Sequence, residues 1–130
     1  MKHIVTIDFE TFYDSGYGLR KYTTEHYIRD PQFQVIGFAI KVDDSSTKWY
    51  SGTHEELQEV LNTYNIHECG LVAHNMQFDG AILAWVFNII PEVYIDTLSM
   101  ARAIHGTNAG GSLAYLAERY NLGKKGTEVL

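Results

Sequence analysis

Two periodicities meet in this chain, and their junction is what most restricts the fold. His3–Phe9 (HIVTIDF) is rich in β-branched residues and reads as a buried strand. Phe12–Pro31 holds Gly16, Gly18, Asp30 and Pro31 and reads as a long excursion with one short turn of helix. Val35–Val42 is a second strand, Asp43-Asp44-Ser45-Ser46 a turn, and Thr47–Ser51 a third strand antiparallel to the second. After Thr53 the period becomes helical. Thr53 and Glu56 form a capping-box pattern, and Leu57, Val60, Leu61 and Tyr64 follow at i, i+3, i+4 and i+7. Strands at Gly70–His74 and Val93–Ile95 then alternate with helices at Gly80–Phe87, at Asp96 to about His105, and at Ser112–Asn121. The last helix carries Leu113, Leu116, Ala117 and Tyr120 on one face, and Leu122-Gly123 marks its stop. A hairpin-started sheet that passes into strand–helix alternation predicts an α/β fold with a mixed five-stranded sheet flanked by helices.

Length and composition fit one such domain. A chain of 130 residues buries roughly two-thirds of its unfolded surface, enough for a core without disulfides. Cys69 is the only cysteine, so no intrachain disulfide forms and no oxidising compartment is needed. No run of about 18 apolar residues is present, and Asp8 and Glu10 interrupt the N-terminus, so neither a membrane span nor a signal peptide is expected. The formal charge is −6, against the simplest nucleic-acid binders, which carry a basic stripe.

The chemistry concentrates in two segments. In Asp8-Phe9-Glu10, alternation along a strand puts both carboxylates on one face. Two such groups on an apolar strand either face solvent or hold a divalent cation, for which hard carboxylate oxygens suit Mg²⁺ or Mn²⁺. In Ala73-His74-Asn75-Met76-Gln77-Phe78-Asp79 a strand ends, a polar loop follows, and Asp79 stands where the next helix begins. Alone, Asp79 reads first as a helix cap. If the first and fourth strands are parallel neighbours, it comes close to the Asp8/Glu10 pair, at the strand ends where α/β folds gather ligands.

Together the segments resemble the DEDD family of 3′–5′ exonucleases, and more narrowly the proofreading domain of a phage or bacterial family A DNA polymerase. IDFET resembles the first family motif, with Asp8 and Glu10 as its D-x-E. HNMQFD resembles the second, with Asn75 four residues before Asp79. IDTLSMARAIHG, followed by SLAYLAERYNLGKKG, resembles the segment after it. The resemblance covers nearly the whole chain and implies a ribonuclease H-like fold, two Mg²⁺ or Mn²⁺ ions, and hydrolysis of the 3′-terminal phosphodiester of DNA. It makes Asp8 the bridge between the ions, Glu10 a ligand on the nucleophile side, and Asp79 a ligand on the leaving-group side. It also places Thr11 near the terminal 3′-OH and Asn75 where it steadies the loop or contacts the nucleotide. Phe78 then stacks on a base or packs in the core, and His74 touches phosphate or sits as a satisfied buried imidazole.

The match stops short of the third family motif, a Tyr or His four residues before an Asp. Tyr115 and Tyr120 are followed at that spacing by Arg119 and Lys124. Residues 1–130 therefore read as a single, incomplete exonuclease domain, with Lys124–Leu130 as a loop leading onward. The expectation is one weak metal site, little or no hydrolysis, and an apolar face open to self-association.

Other chemistries lack support. The six histidines make no H-E-x-x-H, the His67, Cys69 and His74 group is a poor zinc signature, and no phosphate-binding G-x-x-x-x-G-K-S/T occurs. Gly123-Lys124-Lys125-Gly126 reads as a solvated basic turn. The expected partners are a single-stranded DNA 3′ end and the remainder of a polymerase chain, in a bacterial cytosol of host or phage origin. The alternatives are a stand-alone DEDD exonuclease acting on RNA or DNA, and a non-catalytic binding module of the same fold.

Overall fold

The five expected strands form in the expected order. They span Ile4–Thr11 (β1), Val35–Val42 (β2), Lys48–Ser51 (β3), Gly70–Ala73 (β4) and Val93–Asp96 (β5). In the computed structural model, which describes residues 1–123, they make one sheet ordered β3-β2-β1-β4-β5. The β1–β2 and β2–β3 pairs are antiparallel, and β4 runs parallel to both β1 and β5. The helices span Thr24–Arg29 (α1), His54–Thr63 (α2), Met76–Ala81 (α3), Thr97–His105 (α4) and Leu113–Arg119 (α5), with a short 3₁₀ turn at Ile66–Glu68. The basic turn and onward loop read at 124–130 lie outside the described residues.

Strand β1 is longer than expected, reaching Thr11 rather than Phe9, with a register shift between Glu10 and Thr11. Its antiparallel partner β2 accounts for this, since the ladder runs from Val5↔Val42 to Thr11↔Val35. Asp8 and Glu10 thus lie within a strand and not past its end. Val5, Ile7 and Phe9 face the core at 0–4% exposure while Asp8 is exposed and Glu10 half-buried, the alternation a strand imposes. Phe9 packs edge-on to Phe38 (5.6 Å) and stacks on Phe87 (5.9 Å). Beside them Gly37, the partner of Glu10, lies so close to β3 that a Cβ would stand 2.3 Å from the Tyr50 carbonyl oxygen.

Helix α2 carries the capping box in full, with the Thr53 side chain accepting from the Glu56 N–H and the Glu56 side chain accepting from the Thr53 N–H. Asp96 caps α4 as expected. One reading needs correction. The third helix begins at Met76, not Gly80, and widens into a π-helical turn at Ile82–Val86 that keeps Ile82, Leu83 and Phe87 buried. The apolar face of α5 is largely exposed among the described residues. Neither α4 nor α5 buries a side chain, and Met100, Ile104, Leu113, Tyr120 and Leu122 are exposed. Helical periodicity shows that a face is apolar, but whether another element covers it depends on the rest of the fold. No described helix is long and apolar enough to cross a membrane.

Candidate active site

Unequal strand lengths build the site. Strand β4 pairs with β1 only over Ile4–Thr6, and the chain then turns away at His74. Beyond Thr6 the β4 side of β1 has no strand neighbour, so its backbone donors need other partners. Helix α3 supplies one. The Phe9 N–H donates to Asp79 Oδ1 at 3.0 Å, in a buried contact spanning 70 residues of sequence. Asp79 is therefore neither exposed nor a helix cap. It sits in the first turn of α3 at 3% exposure, with its carboxyl against the backbone between Asp8 and Glu10.

The electrostatics follow from that placement. Burial pushes the Asp79 carboxyl from its ordinary 3.8 up to about 7, and the neighbouring Asp8 and Glu10 charges push the same way. The bond from the Phe9 N–H pulls it down without cancelling the rise. Among the described residues no Lys, Arg or His pairs with Asp79, and the ion pairs lie at the surface, as in Lys2–Glu68 and Arg29–Glu25. A buried carboxyl raised by two like charges is an arrangement that a divalent cation relieves. The all-oxygen donor set suits Mg²⁺ or Mn²⁺. Among the described residues, however, no three His, Cys, Asp or Glu side chains stand close enough to hold an ion as they are. Asp8, Glu10 and Asp79 are thus electrostatically coupled without forming a closed cage.

The turn into α3 has its own logic. Asn75 adopts a left-handed conformation (φ 68°, ψ 64°), which Asn tolerates better than most residues. Its N–H donates to Asp96 Oδ1 at 2.9 Å. Burial works to raise Asp96, but bonds from Ser99 and from the Met76, Leu98 and Asn75 backbone hold it below its ordinary range. Asn75 thus steadies the loop through its backbone, tying the end of β5 to the start of α3. His74 spends both ring nitrogens inside the chain, Nδ1 on Thr97 Oγ1 (2.9 Å) and Nε2 on the Gly111 carbonyl (2.6 Å). It pins the 107–111 loop, and a phosphate contact has to compete with these two bonds.

Glu10 also lines a cavity of about 860 Å³ formed between the end of β1 and the 13–21 excursion. Glu10, Thr11, Phe78 and Tyr27 line it together with Tyr13, Arg20 and Lys21. Phe78 is half-buried against the core and also lines this cavity, so packing and ligand contact coexist in one ring. Sequence reasoning singled out Thr11 and Phe78 but missed Tyr27 and the basic wall. The available signal was the density of aromatic residues between Phe12 and Phe33.

Comparisons with known proteins agree with this architecture. Three structures of Brucella melitensis NrnC superpose on 96% of the chain with a TM-score of 0.69. They are NrnC bound to pGG (16% identity), NrnC with bound Mg²⁺ (16%), and NrnC alone (15%). The chain spans only 55–56% of the length of those NrnC chains. At such identity the likeness establishes the fold, a ribonuclease H-like mixed sheet. No curated protein matches the sequence. A family model described as 3′–5′ exonuclease matches residues 5–128, nearly the full length, and the chain therefore belongs to the 3′–5′ exonuclease family.

Proposed function

We propose that the chain is the front part of a DEDD-type exonuclease domain that takes the 3′ end of single-stranded DNA, within a proofreading DNA polymerase. One observation carries the reading. Asp79 is buried against the Phe9 N–H, and its carboxyl is raised first by that burial and further by the Asp8 and Glu10 charges, so three carboxylates from two distant segments share one electrostatic site. Asp8, Glu10 and Asp79 would hold the divalent ions, which supply activation of water and neutralisation of phosphate charge when bound. The chain's own residues do the rest. The β1 backbone fixes Asp79 through Phe9. Thr11 and Phe78 line the cavity beside the carboxylates, where the terminal sugar and base lodge. Asn75 and Asp96 hold the turn that delivers Asp79. His74 anchors the loop that faces it.

A second reading, an exonuclease that works outside a polymerase on RNA or DNA, draws equal support from the likeness to NrnC, one structure of which holds pGG. Linear and circular single-stranded DNA of one sequence test the shared core. With Mg²⁺ or Mn²⁺ the linear form binds, the circular form binds weakly, and Asp8→Ala removes the difference. Equal binding of the two forms, or binding indifferent to the ion, would overturn it. Repeating the assay with RNA, and reading the parent frame beyond codon 130 for polymerase motifs, separates the two readings.

A further inference from the structure

The proton order around Tyr27 gives the cavity a chemical preference. Tyr27 lies on α1 at 2% exposure, its ring stacked on Tyr17 (4.6 Å) and edge-on to Phe33 (5.5 Å). The Tyr17 hydroxyl donates to the Tyr27 carbonyl and fixes the backbone as well. The Tyr27 hydroxyl meets two oxygens, the Phe12 carbonyl at 2.5 Å and Thr11 Oγ1 at 2.8 Å. A carbonyl only accepts, and a phenol has one proton. The Tyr27 proton therefore goes to Phe12, and the Tyr27 oxygen accepts from Thr11. Burial raises the Tyr27 phenol above its ordinary range, so it keeps its proton, while the Thr11 hydrogen bond pulls the other way. The Thr11 proton is then committed, and what Thr11 offers the cavity is a lone pair.

We infer that Tyr27 is a positioning residue that fixes Thr11 as a hydrogen-bond acceptor, so that Thr11 in the cavity lining selects a ligand terminus that donates, a sugar hydroxyl, over one that only accepts, a terminal phosphate. The chain of donors runs from the ligand hydroxyl to Thr11, to Tyr27, to the Phe12 carbonyl. Arg20 and Lys21, which also line the cavity, suit the phosphates of the strand. The inference rests on the nucleic-acid reading above, and what it adds is the part Tyr27 plays in holding Thr11.

The test compares three single-stranded oligonucleotides that differ only at the 3′ end, as hydroxyl, phosphate or hydrogen. Binding is read by fluorescence anisotropy in Mg²⁺ with a phosphorothioate terminal linkage. The wild-type chain binds the hydroxyl end roughly tenfold or more tightly than the phosphate end, the size expected of one well-placed hydrogen bond and an unpaired acceptor. Tyr27→Phe keeps the ring packing but frees the Thr11 proton, and the preference falls to about threefold or less, with the 3′-hydrogen oligonucleotide little changed. Thr11→Val does the same, and the double variant loses no more than either single one, because both act through one contact. If Tyr27→Phe weakens all three oligonucleotides equally, its role is structural and the inference is overturned, with the nucleic-acid reading intact. A wild-type preference for the phosphate end, or none, also overturns it. Failure of every oligonucleotide to bind refutes the nucleic-acid reading, and the inference with it.

Discussion

Replacing Asp79 with Asn should stabilise the metal-free protein, although it removes a residue of the active site. Asp79 is nearly inaccessible, and its carboxyl titrates at about 7 against an ordinary 3.8. Below pH 4 the carboxyl is protonated in the folded and unfolded chain alike and costs nothing. Between pH 4 and 7 the unfolded chain ionises first, so folding loses stability as pH rises. The full penalty is present above pH 7. At ~1.4 kcal/mol per pKa unit, the difference between about 7 and 3.8 amounts to roughly 4 kcal/mol at most. Asn keeps the oxygen that accepts from Phe9 and turns its amide toward two carboxylates. We expect Asp79→Asn to gain about 2–4 kcal/mol at pH 8, a rise in Tm of roughly 10 °C, and little at pH 4. Urea melts of both proteins in EDTA at the two pH values measure this. Saturating Mg²⁺ should then raise the wild type by about 3 kcal/mol at a hundred times its Kd and leave the variant unmoved. An Asn variant no more stable than wild type at pH 8, or a gain equal at both pH values, would refute the reasoning.

Three further outcomes follow from particular positions. Gly37→Ala drives a Cβ to 2.3 Å from the Tyr50 carbonyl and 2.8 Å from the Trp49 ring, so it should cost more than about 2 kcal/mol in a chemical melt, far beyond an ordinary glycine substitution in a strand. At Asn75, whose φ is 68°, Gly should be tolerated within about 0.5 kcal/mol, whereas Ala should cost about 1 kcal/mol and loosen ion binding in a calorimetric titration by shifting Asp79. Residues 1–130 alone should trim a 3′-labelled single strand little or not at all in Mg²⁺ or Mn²⁺, because no third-motif Asp follows Tyr115 or Tyr120 at the family spacing. Measurable trimming that Asp8→Ala abolishes would show that three carboxylates suffice.

Local pattern carried much of this fold. The bounds of β2, the capping box of α2 and the Asp96 cap all follow from residues within a few positions of one another, and the structure bears them out. The shared face of Asp8 and Glu10 follows in the same way from strand alternation. Contacts that join distant segments were not legible. That Asp79 completes a bond to Phe9 depends on β4 being shorter than β1, which no window of sequence displays. Tyr27 reaches Thr11 across 16 residues of irregular chain, so its role emerges only once the excursion is folded. The start of α3 was misplaced because a left-handed Asn75 opens that helix without a side-chain cap, leaving none of the usual marks. The apolar stripe of α5 was legible as apolar, and its exposure among the described residues depends on which elements cover it and not on the stripe itself.

The most direct test of the central claim is a calorimetric Mn²⁺ titration of the wild-type chain beside Asp8→Ala and Asp79→Asn at pH 7.5. If Asp8, Glu10 and Asp79 form one cation site, the wild type binds Mn²⁺ with release of protons, because Asp79 is partly protonated at that pH, and both variants lose the binding. Binding that survives both substitutions, or a wild type that takes up no Mn²⁺, would contradict the account and leave a fold of this family without its chemistry.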